Sequence, residues 1–137
     1  MSAAIRAVFT RLWSLLEAHA GEFHVAADTH SRYGLEGPIG PATMRAWGGK
    51  ARASAIPVAW VTIGKAYVSD HLMGVQGNAR LMATVSYELR ARMQGQSCFN
   101  FTRVDDALFR ELARVTAESL QGMRKAGHVA ASLKETI

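Results

Sequence analysis

One stretch, residues 86–120, limits what this chain can fold into more than any other. It reads as a short helix, a glycine stop, a strand, an aspartate cap and a long helix. Ser86 suits an N-cap, since its hydroxyl can accept from the amides of a first turn. Tyr87 to Met93 is too short to hold as a helix by itself and has to be held by packing. Gly95 takes a positive φ at little cost and reads as the residue that stops this helix. Ser97 to Thr102 then alternates, with Phe99 and Phe101 on one face and Cys98 and Asn100 on the other. Asp105 and Asp106 end the strand and supply a cap of the charge sign that a helix N-terminus prefers. From Ala107, apolar residues recur at helical spacing through Leu108, Phe109, Leu112, Val115, Leu120 and Met123. Glu111, Arg114, Glu118, Gln121 and Lys125 hold the opposite side. Such a helix lies on an apolar surface and ends at Gly127.

The rest of the chain supplies that surface. Ser2 caps a first helix whose stripe is Ile5, Val8, Phe9, Leu12, Leu15 and Leu16, and Gly21 stops it. Phe23 to Asp28 alternates with Phe23, Val25 and Ala27 on one face. A turn at 28–31 leads to Tyr33 and Leu35, which makes a first hairpin. Gly37-Pro38-Ile39-Gly40-Pro41 breaks the pattern, and residues 42–55 carry no regular period. Ile56 to Ile63 is a strand, with Pro57 at its start or on an edge because proline donates no ladder bond. Gly64-Lys65 reads as a two-residue turn into a partner strand, Ala66 to Met73. Ala79 to Val85 reads as a helical turn. The expected fold is α+β: an antiparallel sheet of about five strands, with the N-terminal and C-terminal helices packed on one face. Residues 1–127 form a single domain and 128–137 a tail, loose or frayed into helix.

From Val58 to Lys125 the order of motifs resembles the YdhG-like family of small, largely uncharacterised bacterial α+β proteins. The likeness rests on the hairpin Val61-Thr62-Ile63-Gly64-Lys65-Ala66-Tyr67-Val68, the strand Gly95-Gln96-Ser97-Cys98-Phe99-Asn100-Phe101, the acidic turn Asp105-Asp106 and the closing helix. These motifs are fold-like and imply no catalytic residue. Some members are described as frataxin-like iron chaperones. That role implies clustered surface carboxylates; this chain has no acidic run, and no iron ligand is carried over to it.

Composition narrows the function without naming it. Of 137 residues, 49% are hydrophobic, which fits a globular core and argues against disorder. The one cysteine allows no intrachain disulfide, and no apolar run reaches the ~18 residues of a membrane span. The N-terminus lacks the long apolar core of a signal peptide. These features point to a cytoplasmic protein. A net charge of +5 permits a polyanion partner, but the basic residues are spread along the whole chain.

Candidate chemistry is sparse. Cys98 as a nucleophile would need a histidine held beside it, and His71 sits on a nearby strand; a cysteine beside two phenylalanines also reads as a small buried hydrophobe. The five histidines show no metal-ligand spacing, so neither metal nor cofactor is expected. Trp47-Gly48-Gly49-Lys50-Ala51-Arg52 mimics part of a phosphate loop. It lacks the wider glycine spacing and the hydroxyl after lysine, which excludes nucleotide hydrolysis and leaves an anion contact by Lys50 and Arg52.

Register points to a ligand site instead. If Phe99 and Phe101 face the helices, Val68 and Leu72 share the buried face. The other face then carries Tyr67, Ser69 and His71, with Asn100 and Cys98 beside them and Trp60 or Trp47 as a wall. That mixture suits a small-molecule site closed by residues 37–55; a plain solvated face or a homodimer contact is the alternative. The same register sends Asp70 into the core, where a bulge, an edge position or an arginine partner would be needed. The expected role is a non-enzymatic small-ligand or protein-interaction domain. The alternatives are a weak nucleic-acid or polyanion binder, and an enzyme acting on a small molecule between loop 37–55 and the sheet.

Overall fold

A computed structural model describes residues 2–130. Helix α1 (Ala3–Glu17) is followed by strands β1 (His24–Asp28) and β2 (Arg32–Pro38), a short helix α2 (Pro41–Ala46), and strands β3 (Ala55–Ile63) and β4 (Val68–Leu72). A single 3-10 turn (Met73–Val75) leads into two one-turn helices, α3 (Ala79–Met82) and α4 (Tyr87–Arg90). Strands β5 (Met93–Gln94) and β6 (Cys98–Phe101) precede the long helix α5 (Asp106–Lys125). The strands form one six-stranded sheet in the order β1-β2-β3-β4-β6-β5, antiparallel throughout. The sixth strand, beyond the five expected, is the two-residue β5.

The capping signals in the sequence act as expected. Ser2, Ser86 and Asp105 each accept a hydrogen bond from the backbone N–H three residues on: Ile5 at 3.1 Å, Leu89 at 3.1 Å and Leu108 at 3.1 Å. Several boundaries differ from those expected. Helix α1 ends at Glu17, before Gly21. Gly95 does adopt a positive φ of 76°, but it turns the β5–β6 hairpin, because the short helix has already ended at Arg90. In the β3–β4 hairpin the Gly64 N–H donates to the Tyr67 carbonyl at 2.8 Å, so Lys65 and Ala66 form the tip and β4 starts only at Val68.

Helices α1 and α5 cover one face of the sheet. Leu12 and Leu16 of α1 and Leu112 and Val115 of α5 are buried with Tyr33, Leu35, Val61, Val68, Leu72, Phe99 and Phe101 of the strands. Phe101 meets Phe109 edge-on with centroids 4.9 Å apart, and Trp13 meets Tyr33 in the same manner at 5.7 Å. Phe23 is buried, whereas Val25, placed on the same face by alternation, is 45% exposed. A bulge between Val25 and Ala27 breaks the alternation of β1, which lies on the sheet edge. Pro57 lies within β3, but β4 pairs only with Ala59 to Ile63, so one side of β3 is unpaired at the proline.

Residues 37–55 hold more structure than their sequence suggests. After α2, Gly48 and Gly49 turn the chain at positive φ. The segment is tied to the end of α5. Gly40 N–H donates to the His128 carbonyl at 3.0 Å, Ala42 N–H to the Gly127 carbonyl at 2.9 Å, and Thr43 Oγ1 to the His128 carbonyl at 2.6 Å. Ile39 bridges Val129, which is buried. Residues 128–130, the start of the expected tail, are therefore docked on the body; residues 131–137 lie outside the described residues.

Candidate functional site

Alternation along the strands leaves one face of the sheet free of helices. Its side chains fall into two rows, set by the register. Gly34, Trp60, His71, Cys98 and Gln94 succeed one another across β2, β3, β4, β6 and β5. Arg32, Thr62, Ser69 and Asn100 form the neighbouring row. Strand residues two apart share a face, so every side chain in both rows points away from α1 and α5.

The first row is built around an aromatic stack. Trp60 and His71 lie with centroids 4.7 Å apart and planes 12° from parallel. Gly34, the cross-strand partner of Trp60, adds no side chain to this face, and the Arg32 guanidinium sits 5.7 Å from the Trp60 ring. His71 Nε2 is 3.7 Å from Cys98 Sγ. Burial, and then the positive charge of Arg32, lowers the His71 pKa below its ordinary value. The imidazole is therefore neutral at pH 7.

The second row is a hydrogen-bonded strip. Ser69 Oγ donates to Asn100 Oδ1 at 2.7 Å, the Cys98 thiol donates to the same oxygen at 3.2 Å, and Asn100 Nδ2 donates to Gln94 Oε1 at 2.8 Å. Burial raises the thiol pKa of Cys98, the neighbouring Ser69 hydroxyl opposes this, and Asp70 raises it further. The Cys98–His71 contact thus joins a thiol to a neutral imidazole. An activated nucleophile needs a thiolate.

Where the second row meets the β3–β4 turn, a concavity of about 470 Å³ opens. Trp60, Tyr67, Ser69 and His71 line it, together with Arg32, Thr62 and Lys65. Four of the expected residues are thus brought together. Asn100 lies in the same row, one strand further on, and holds Ser69. Trp47, Lys50 and Arg52 do not line this space. Loop 37–55, expected to close it, is instead fastened to the end of α5, and the β3–β4 turn forms the rim. Arg32, Thr62 and Lys65 escaped sequence reasoning. The signal for two of them was present: Arg32 stands two residues before Gly34, and Thr62 two after Trp60, on the same face.

A second, larger cavity of about 1040 Å³ lies on the helical side, between the 3-10 turn, α3 and the end of α5. Met73, Leu81 and Met123 give it apolar walls, and Thr43 and His128 border it.

Asp70 is on the helix-covered face, fully buried, as the register required. None of the expected remedies is present. It pairs with Val61 and Phe99 within regular ladders, and neither carboxyl oxygen has a hydrogen-bond partner among the described residues. Burial pushes its pKa up to about 8, so the side chain is a neutral acid at pH 7.

These features define an α+β domain with an open, six-stranded antiparallel sheet, helices on one face and an aromatic, cationic concavity on the other. No family model matches the chain, and neither the curated proteins nor the solved structures yield a match. Among the described residues no group of three or more His, Cys, Asp or Glu side chains could hold a metal ion. Nor is any described helix long and apolar enough to cross a membrane.

Proposed function

We propose that this chain is a non-enzymatic binding domain whose ligand, a small molecule, sits in the concavity on the open face of the sheet. The observation that carries this reading is the Trp60–His71 stack, with Tyr67 still 40% exposed beside the same hollow. Aromatic walls with a few polar groups are what small-molecule sites usually offer. The state of Cys98 and His71, thiol and neutral imidazole, supports binding over catalysis. We place the protein in the cytoplasm on its single, free thiol. The YdhG-like assignment stays a proposal resting on the motifs between residues 58 and 125.

A fragment screen read by amide and indole NMR tests this function. Hits should shift the signals of Trp60, Tyr67, Ser69 and His71, and Trp60→Ala should remove those shifts. Hits confined to the cavity of Met73 and Met123 would overturn the assignment of the site. Shifts on the open face that depend only on protein concentration would make it a homodimer contact. Salt-sensitive binding of single-stranded nucleic acid along both rows would favour a polyanion binder.

A further inference from the structure

The charges around the concavity are one-sided. Arg32 and Lys65 line it, and no carboxylate does. The ion pairs among the described residues engage Arg11, His19, Arg114 and Arg124, and none engages Arg32 or Lys65. Arg32 is held in place by uncharged groups, with Nη1 3.5 Å from Thr62 Oγ1 and its guanidinium over Trp60. The nearest buried acid by sequence, Asp70, points to the opposite face of the sheet. A planar guanidinium held beside an indole, with no acid opposite, is arranged to meet an oxyanion that is attached to a flat ring.

The volume and the distribution of charge select among such anions. About 470 Å³ lies in the lower half of the range usual for ligand sites, which suits one or two fused rings. The row Gly34, Trp60, His71, Cys98 and Gln94 carries no formal positive charge while His71 is neutral, so there is no cationic track for a polymer backbone.

Resting on the reading of this face as a ligand site, we infer that the concavity takes a small aromatic carboxylate, its ring against the exposed Tyr67 and the edge of the Trp60–His71 stack and its carboxylate paired with Arg32. Lys65 at the rim adds attraction without fixing orientation. Ser69 and Thr62 offer hydroxyls to any polar substituent on the ring.

A matched pair of probes separates this inference from the reading beneath it. Naphthalene-2-carboxylate and naphthalene-2-carboxamide share shape and differ in charge. Each is titrated into the isotope-labelled protein while the Trp60 indole N–H, identified through Trp60→Phe, is followed. The carboxylate should bind at least about tenfold more tightly, a difference of about 1.4 kcal/mol. Arg32→Gln should erase that preference, so that the variant binds carboxylate and carboxamide alike. Arg32→Lys should restore part of it, since it keeps the charge and loses the planar fork. Equal binding of the two probes by the unaltered protein would overturn the carboxylate inference and leave the ligand site standing. Failure of both probes to move the Trp60 signal at millimolar concentration would overturn the ligand site itself.

Discussion

Trp60 and His71, register partners on adjacent strands, stack 4.7 Å apart and 12° from parallel, and the arginine over the indole depresses the ionisation of the imidazole. Burial acts first on His71 and the charge of Arg32 second. Arg32→Gln should therefore raise the His71 pKa toward its ordinary value, read from the imidazole proton shifts between pH 4 and 8. An unchanged titration would mean that burial accounts for all of the shift. Because the folded pKa lies below the unfolded one, the unfolded state takes up the proton first. The contribution of His71 is thus lost as pH falls below about 6.5.

Asp70 should impose the opposite pH dependence. Its folded pKa, about 8, stands above the value of 3.8 for a free aspartate, so the folded state keeps a proton that the unfolded state releases. Stability should fall as pH rises between about 4 and about 8, by up to about 1.4 kcal/mol per pH unit from this group. Asp70→Asn, which cannot ionise, should flatten that slope in urea unfolding series. A slope retained in the variant would assign it to other groups.

Leu112 has no exposed surface and lies in the layer between α5 and the sheet. Leu112→Ala should cost about 2–5 kcal/mol in denaturant unfolding, with the higher figure if the cavity does not collapse. A loss under about 1 kcal/mol would show that α5 is held chiefly by its other contacts.

The carboxylate of Glu111 accepts from the Ser86 backbone N–H at 2.7 Å and from the Ser86 hydroxyl at 2.6 Å, which ties the start of α4 to α5. Glu111→Ala should cost about 1–3 kcal/mol, because these hydrogen bonds are charge-assisted and part-buried. Faster amide exchange at Leu89 and Arg90 should accompany the loss. Unaltered exchange there would mean that packing alone holds α4.

Gly40 meets the end of α5 so closely that an added Cβ would fall 2.2 Å from the Gly127 carbonyl oxygen. Gly40→Ala should therefore push residues 128–130 off the body and cost about 1–3 kcal/mol. Loss of protection at the Gly40 and Ala42 amides would report the separation. Retained protection would mean that the backbone shifts without undocking.

The sequence alone determined those features that depend on near neighbours along the chain. Ser2, Ser86 and Asp105 cap helices through bonds that span three residues, so the cap residue and the amide it serves are always close. The alternation of Val68, Asp70 and Leu72 against Ser69 and His71 fixed the two faces of β4, and with them the burial of Asp70. The same alternation on β6 placed Phe99 and Phe101 opposite Asn100. Alternation along residues 67–71 put Tyr67, Ser69 and His71 on one face, but that Trp60 rather than Trp47 stands beside them was decided by the pairing of β3 with β4.

What only the tertiary structure decided depends on residues far apart in sequence. The anchoring of Gly40, Ala42 and Thr43 to Gly127 and His128 joins segments with no local signal for one another, so neither the place of loop 37–55 nor the docking of Val129 was legible. The exposure of Val25 and the bulge after it belong to β1, which lies at the sheet edge, where the alternating pattern is not enforced from both sides. The state of Asp70 was equally out of reach. Sequence showed where the carboxyl must point, but whether an arginine would meet it there, or a proton neutralise it, was settled by which side chains the folded core brought within reach.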